Sequence, residues 1–212
     1  MVNDPYAHCP RLPEEGQINL DELFSDPPVD QVSAPKGPIE LEIGPGRGWF
    51  TIERLEAEPQ VRVIGLEIRR KWATIVDERV KERGLGHRGR IFAEDARLTL
   101  PRFPENSLGR VYVHFPDPWW KKRHEKRLVL TSSLLDTLTR LLIPGGELFV
   151  QTDVAERGDQ YQAVLDDHAA FEPVAGGPRI ADHEFIARSP RERKAIEYEL
   201  PIVRLLYRNK KS

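Results

Sequence analysis

Residues 39–48 have the sequence Ile-Glu-Leu-Glu-Ile-Gly-Pro-Gly-Arg-Gly. In the first five positions apolar residues alternate with glutamates, a pattern typical of a half-buried β-strand. The glycines that follow permit a tight turn into a predicted helix over 49–58, which Pro59 closes. Such a turn between a strand and a helix N-terminus lets the backbone approach a ligand closely. This stretch therefore predicts an α/β domain with a ligand site at the end of its first strand.

Strand and helix patterns alternate along the rest of the chain. The predicted strands are 61–66, 91–93, 111–115, 148–151 and 202–207, and the further predicted helices are 71–83, 128–142 and 161–168. The sequence Pro-Gly-Gly at 144–146 is expected to end the helix before it. Strands separated by helices form βαβ units, so we predict a Rossmann-like, doubly wound α/β fold with a mostly parallel sheet.

The glycine spacing narrows the class of ligand. It is G-x-G-x-G rather than G-x-G-x-x-G, which argues against a nicotinamide oxidoreductase, and no Gly-Lys-Ser/Thr follows, which excludes a nucleoside-triphosphate loop. Glu67 ends the second predicted strand, where a carboxylate can accept hydrogen bonds from both hydroxyls of a ribose. Asp95 follows the third strand and could accept from an adenine amino group. A plain turn with solvated carboxylates also fits, but this order of elements favours a nucleoside ligand.

A second distinctive segment, Phe115-Pro116-Asp117-Pro118-Trp119-Trp120, follows the fourth predicted strand. Proline fixes its own φ and restricts the preceding residue to extended conformations, so we expect the Asp117 carboxylate to be held rigidly. The two tryptophans offer surfaces on which bases can stack. Residues 121–127 add five basic residues against one acid. Most such runs are solvated helix starts, but beside the aromatic pair this run favours a phosphate-binding ridge.

Charge is distributed unevenly along the 212 residues. The formal net charge of −2 would by itself argue against a nucleic-acid partner. Residues 1–34, however, contain seven acids and one arginine, whereas residues 188–211 contain eight basic residues and three acids. Because the local field attracts a polyanion, the basic segments remain compatible with RNA.

The N-terminal region differs in composition from the rest of the chain. We interpret residues 1–37 as an acidic, Pro-rich arm and residues 38–212 as a single domain. The arm is expected to be mobile at its start and to pack through four apolar residues, Ile18, Leu20, Leu23 and Phe24. It is further expected to lie away from an RNA-binding face or to cover that face in the free protein.

Composition also bears on the compartment. The single cysteine, Cys9, rules out an intrachain disulfide and fits a reducing compartment. No run approaches about 18 consecutive apolar residues, so no membrane span is expected. The N-terminus lacks the basic start and apolar core of a secretory signal. The six histidines show no metal-ligand spacing, so no metal is predicted, and we expect a cytoplasmic protein.

The segment around Asp117 resembles a known family. Phe115-Pro116-Asp117-Pro118-Trp119, with Lys121, Arg123-His124 and Lys126-Arg127 after it, is similar to the F-P-D-P-W and K-x-R-H-x-K-R pattern of tRNA (guanine-N7-)-methyltransferases. The glycine turn and the acids after the strands follow in that family's order, and the resemblance covers about residues 39–208. It implies a class I methyltransferase domain, S-adenosylmethionine as cofactor, tRNA as partner and methylation of guanine N7 in the variable loop.

The resemblance also implies roles for individual residues. The residues implied to bind S-adenosylmethionine are Glu42, Gly44, Gly46, Gly48, Glu67, Asp95 and Ala96. Asp117 is implied to be catalytic, and the residues expected to contact substrate are Lys121, Arg123, Asp153, Ser189 and Glu192.

One motif departs from the family pattern. The family has T-x-F-E near its C-terminus, whereas this chain has Ser189-Pro190-Arg191-Glu192, with an arginine in place of the aromatic residue. Two alternatives therefore remain open beside the tRNA enzyme. One is a methyltransferase acting on another RNA or on a small molecule, and the other is a non-catalytic RNA-binding relative.

Overall fold

The structure is a computed structural model and describes residues 4–24, 38–117, 128–174 and 176–211. Its strands are β1 (Ile39–Ile43), β2 (Val63–Leu66), β3 (Gly89–Phe92), β4 (Leu108–His114), β5 (Leu142–Thr152), β6 (Phe171–Pro173) and β7 (Val203–Asn209). They form one sheet in the order β3-β2-β1-β4-β5-β7-β6. Strands β1 to β5 run parallel, whereas β7 is antiparallel to both of its neighbours. This topology confirms the predicted doubly wound, mostly parallel sheet.

Helices connect the strands. They are α1 (Trp49–Ala57), α2 (Arg70–Glu82), α3 (Ala96–Thr99), α4 (Ser132–Leu141), α5 (Ala155–Asp166) and α6 (Pro190–Glu197). Helix α4 begins later than the apolar stripe predicted, because the Thr131 side chain accepts a hydrogen bond from the Leu134 amide and caps it there. In the described ranges, no helix is both long and apolar enough to cross a membrane.

The strand order reverses beside β1. The chain moves outward from β1 through β2 to β3 and then returns to the opposite side of β1 as β4. Loops that leave β1 and β4 at their carboxyl ends therefore diverge, which opens a crevice between them.

Strand β1 is more deeply buried than its alternating sequence predicts. All five of its residues are buried, so the prediction of a half-buried strand is wrong. Glu40 is accommodated because Arg54 donates to both of its carboxylate oxygens, at 2.9 and 2.8 Å, and the Tyr112 hydroxyl donates to one of them at 2.8 Å. A buried carboxylate is tolerated only when it is paired and hydrogen-bonded in this way.

Strand β5 extends across the predicted helix stop. The Pro-Gly-Gly sequence lies inside this strand, where Leu108 pairs with Leu142 but Arg110 pairs with Glu147. The extra residues on β5 form an irregularity that breaks the register. Neither β6 nor α6 was predicted, because β6 has three residues and α6 has only two buried ones, Glu192 and Ala195.

The described part of the N-terminal arm packs against the domain. Ile18 and Leu20 are buried in the main core as predicted, Cys9 and Leu12 are buried as well, and Leu23 and Phe24 are partly buried. The backbone also contacts the edge of the sheet, since the Ala93 amide donates to the Pro10 carbonyl at 2.7 Å. The arm thereby covers part of the exposed edge beyond β3.

We predict that Ile18→Ala lowers the free energy of unfolding by about 2–5 kcal/mol, because Ile18 is 1% exposed and the substitution leaves a cavity. The control Ile186→Ala, at a side chain that is 74% exposed, should change it by about 0.5 kcal/mol or less. Urea denaturation followed by circular dichroism measures both. Equal effects of the two substitutions would show that the arm adds nothing to the core.

Candidate active site

A cleft of about 590 Å³ opens at the carboxyl ends of β1 to β4. It is lined by the segments that follow these strands, 43–44, 66–69, 94–97 and 114–117, and by Val129 and Leu134. The cleft lies where the strand order reverses, which is the usual ligand position in open α/β sheets.

The glycine turn joins β1 to α1. Gly44, Gly46 and Gly48 have φ values of 74°, 55° and 73°, in the region that favours glycine. Gly44 lines the cleft, and a Cβ added there would meet no atom within 4 Å. A Cβ on Gly48 would lie 2.0 Å from Val76 Cγ1, so Gly48 is required where α1 packs against α2. Contact of Gly44, Gly46 and Gly48 with a cofactor stays a prediction.

Glu67 lies at the cleft with its side chain only 3% exposed. Its Oε2 accepts a hydrogen bond from the Gly46 amide at 3.0 Å, which ties the glycine turn to the end of β2. Its Oε1 accepts from both the backbone amide and Nε of Arg69, each at 3.0 Å. The carboxylate predicted to bind a ribose is therefore positioned by two backbone amides and forms an ion pair with the Arg69 side chain.

Asp95 repeats this arrangement after β3. Its Oδ1 accepts from the Arg97 amide and Nε, each at 3.0 Å, and its Oδ2 accepts from Nη2 at 2.6 Å. The hydrogen bond from the Arg97 side chain outweighs partial burial and lowers the pKa of Asp95. Ala96 lies next to it in the cleft lining. Sequence reasoning missed Arg69 and Arg97, although both stand two residues after a predicted cofactor acid.

Glu42 lies beneath the cleft rather than in its lining. Its side chain is 2% exposed, its Oε2 accepts from the Thr51 hydroxyl, and its Oε1 is 3.1 Å from His114 Nδ1. Glu42 thus joins β1 to α1 and β4, while His114 and Gly44 reach the lining. A direct contact of Glu42 with the cofactor remains a prediction.

Phe115 has a backbone conformation that the sequence did not indicate. Its φ is +46°, so the prediction that the residue before Pro116 is extended is wrong. The Phe115 amide still donates to the Gln151 carbonyl at 2.8 Å, and the chain turns after this last contact with β5. A non-glycine residue in this region costs about 1–3 kcal/mol and persists only where its surroundings enforce it. The turn places Asp117 in the cleft lining.

The structure brings three predicted acids to one cleft. Glu67, Asp95 and Asp117 come from the ends of β2, β3 and β4 and all line it. The remaining part of the Asp117 segment, with Trp119, Trp120, Lys121 and Arg123, lies outside the described residues. The predicted stacking surface and phosphate ridge therefore stay predictions.

The Ser189–Glu192 motif begins helix α6. The Ser189 hydroxyl accepts a hydrogen bond from the Glu192 amide at 3.1 Å and caps the helix. Glu192 is fully buried, and the groups that contact its carboxylate are Gln151 at 3.3 Å, His183 at 2.9 Å, Arg188 at 2.7 Å and Arg204 at 3.0 Å. Burial raises the pKa of Glu192. Three hydrogen bonds, from His183, Arg204 and Gln151, and the charge of His183 outweigh this effect, so the pKa falls to about 2.

Asp182, His183 and Glu192 place ligand atoms within 4.8 Å of one another. Arg188 donates to Asp182 at 2.9 Å and to Glu192 at 2.7 Å, and Arg204 donates to Glu192 at 3.0 Å. A cation there would face two guanidinium groups, so the arrangement favours an ion-pair cluster over a metal centre. Asp182, His183, Arg188 and Glu192 lie within eleven residues of one another, whereas Arg204 joins the cluster from β7.

Asp153, predicted to contact substrate, follows β5 and pairs with Arg191, whose Nε donates to it at 2.6 Å. The arginine that replaces the family's aromatic residue is thus bound to a predicted substrate residue. Asp153, Ser189 and Glu192 lie outside the cleft lining. Their contact with substrate stays a prediction.

We predict that Glu192→Gln destabilises the protein at pH 7 by about 3–5 kcal/mol, because the buried Arg204 guanidinium loses its counter-charge. The folded-state pKa of about 2 lies below the ordinary glutamate pKa of about 4.5, so this stabilisation is complete above pH 4.5 and is lost as pH falls toward 2. Melting temperatures of wild type and variant should therefore converge over that interval. The control Glu172→Gln, on the exposed side of β6, should show no such convergence, and a constant difference for Glu192→Gln would contradict the prediction.

Comparisons with known proteins agree with this arrangement. Residues 36–205 match the family model Methyltransf_4, described as "Putative methyltransferase". A tRNA (guanine-N(7)-)-methyltransferase from Myxococcus xanthus is 34% identical over 91% of this chain and 94% of its own. Another, from Paramagnetospirillum magneticum, is 39% identical over 81% of this chain and 72% of its own.

A solved structure, a SAM-dependent methyltransferase from Aquifex aeolicus, superposes with a TM-score of 0.57 at 12% identity, over 84% of this chain and 85% of its own. This likeness concerns the fold alone and agrees with the predicted doubly wound, mostly parallel sheet. With relatives of this identity and coverage, the chain belongs to the tRNA (guanine-N7-)-methyltransferase family.

Proposed function

We propose that the protein is an S-adenosylmethionine-dependent methyltransferase that methylates N7 of a guanine in tRNA, at the variable loop as the resemblance implies. The observation that carries this proposal is the convergence of Glu67, Asp95 and Asp117 on one cleft at the switch point of the sheet. The relatives named tRNA (guanine-N(7)-)-methyltransferase match most of the chain. With tRNA as its partner, we further propose that the enzyme is cytoplasmic.

The residues present fit a nucleoside cofactor. Glu67 and Asp95 end neighbouring strands and can accept hydrogen bonds from a ribose diol and from an adenine amino group. Ile68 follows Glu67, is 65% exposed and lines the cleft, so it offers an apolar surface for a base. Gly44 leaves space beside β1 where the backbone can approach the ligand. When bound, S-adenosylmethionine supplies an electrophilic methyl group on its sulfonium.

The residues of the chain contribute mainly by positioning. Guanine N7 has a free lone pair, so no strong base is needed to generate the nucleophile. Orientation of two reactants can lower a barrier by about 7–11 kcal/mol. Asp117, held by the strained turn at Phe115, can accept from the guanine N1–H and amino group or stabilise the positive charge that develops on the purine.

A second candidate follows from the Asp153–Arg191 pair. Arg191 replaces an aromatic residue of the family pattern and neutralises an acid that the resemblance assigns to the substrate. A methyltransferase acting on another RNA or a small molecule is therefore the alternative. Transfer of labelled methyl groups to unmodified tRNA, compared with tRNA whose variable-loop guanine is replaced, distinguishes the two substrates. Labelling of both tRNAs, or of neither, would contradict the guanine N7 assignment.

We predict that Glu67→Gln weakens binding of S-adenosylhomocysteine by about 10-fold or more, because a hydrogen bond to a charged acceptor is worth about 1.5–3 kcal/mol. Isothermal titration calorimetry measures the affinity. The control Glu78→Gln alters an exposed acid on α2 and should leave it unchanged. Unchanged binding by the Glu67 variant would remove this residue from the cofactor site.

We predict that Asp117→Asn lowers turnover on tRNA by about 100-fold or more, since it removes a charge placed where positive charge develops. Affinity for S-adenosylhomocysteine should change by less than about threefold. Single-turnover methyl transfer and calorimetry give the two quantities. If Asp117→Asn instead loses affinity for S-adenosylhomocysteine but keeps its single-turnover rate once the cofactor is bound, Asp117 belongs to the cofactor site.

A further inference from the structure

Arg69 lines the cleft together with Glu67 and Asp117. Its backbone amide and Nε donate to Glu67 Oε1 at 3.0 Å, and its Nη2 is 3.5 Å from Oε2. The hydrogen bond to Glu67 outweighs burial and raises the pKa of the Arg69 guanidinium, and the charges of Glu67 and Asp117 add to this effect. Arg69 therefore interacts with the proposed ribose acceptor and with the proposed catalytic carboxylate.

The Arg69 side chain is the outer partner of this pair. It is 63% exposed, whereas the Glu67 side chain is 3% exposed. The guanidinium is already largely in solvent, so its release requires little further hydration, and ribose hydroxyls would replace its hydrogen bonds to the buried Glu67 carboxylate. The backbone amides of Gly46 and Arg69 would still hold the carboxylate in place.

A ribose diol competes with the guanidinium for Glu67. A carboxylate offers about four acceptor positions. The Gly46 amide, the Arg69 amide and Arg69 Nε already use three of them. Two further hydroxyl donors therefore require that Arg69 withdraw its side chain.

We propose that Arg69 is a phosphate-binding residue that cofactor binding releases from Glu67 to the RNA backbone. This inference rests on the proposed function. The guanidinium keeps its charge wherever it moves, and its planar fork matches a phosphate. Because Arg69 and Asp117 line the same cleft, the released guanidinium remains near the side chain that is proposed to meet the target base. The loaded enzyme thus binds tRNA more tightly than the unloaded enzyme does.

Arg69→Gln tests this coupling, with Arg83→Gln as the matched control. The two arginines cap opposite ends of α2, and Arg83 pairs with Glu56 at 3.3 Å. The affinity for unmodified tRNA is measured by fluorescence anisotropy, with and without saturating S-adenosylhomocysteine, at several salt concentrations. Calorimetry gives the affinity for S-adenosylhomocysteine with and without tRNA, which must show the same coupling factor.

In the wild type we expect S-adenosylhomocysteine to tighten tRNA binding by about 5- to 10-fold, within the usual range of coupling between sites. In Arg69→Gln this factor falls to about 1, and the salt slope of the loaded enzyme falls by about 1. Binding of tRNA to the unloaded variant stays unchanged, and S-adenosylhomocysteine binds as tightly or more tightly. Arg83→Gln retains the wild-type coupling.

Three results of the tRNA-binding measurements would overturn the inference. These are no coupling in the wild type, intact coupling in Arg69→Gln, and an equal loss of tRNA affinity with and without S-adenosylhomocysteine. A weakened affinity of Arg69→Gln for S-adenosylhomocysteine would also overturn it, since Arg69 would then only support Glu67. Failure of the wild type to bind S-adenosylhomocysteine at all would instead refute the proposed function.

Discussion

Burial of the Glu42 carboxylate between β1, β4 and α1 is the interaction that shapes the cleft. The isolated charge would cost several kcal/mol to remove from water, so it must be hydrogen-bonded. Its partners are Thr51 on α1 and His114 at the end of β4. The hydrogen bonds that Glu42 requires therefore fix α1 and β4 beside the point where the strand order reverses. The loops that carry the site start from these fixed ends.

The same requirement divides the acids of the domain into two kinds. Glu40 and Glu192 are buried among partners from distant elements, so they hold the sheet and its covering segments together. Glu67 and Asp95 instead pair with arginines whose side chains are 63% and 48% exposed. Because these arginines reach solvent, donors of a ligand can replace them at Glu67 and Asp95 without leaving a buried arginine unpaired.

The predictions succeeded where the signal was local. Strand β1, the turn after it and the acids at the ends of β2 and β3 follow from short patterns, because residue spacing reports which side of a strand or turn a side chain occupies. They failed where a distant contact overrode the local rule. Phe115 combines a positive φ with a hydrogen bond to Gln151 of β5, and β5 runs through a Pro-Gly-Gly sequence because a register break accommodates it. Helix α6 lacks an apolar stripe and forms around buried Glu192.

The sequence by itself determined the fold class, the family resemblance and the acids that border the cleft. Only the tertiary structure decided which group neutralises each acid and which acids reach the cleft at all. Glu42 and His114 are 72 residues apart, and Gln151 and Glu192 are 41 apart. No spacing pattern encodes such pairs, since a carboxylate is satisfied by whichever donor the folded chain brings within hydrogen-bond distance when water is excluded.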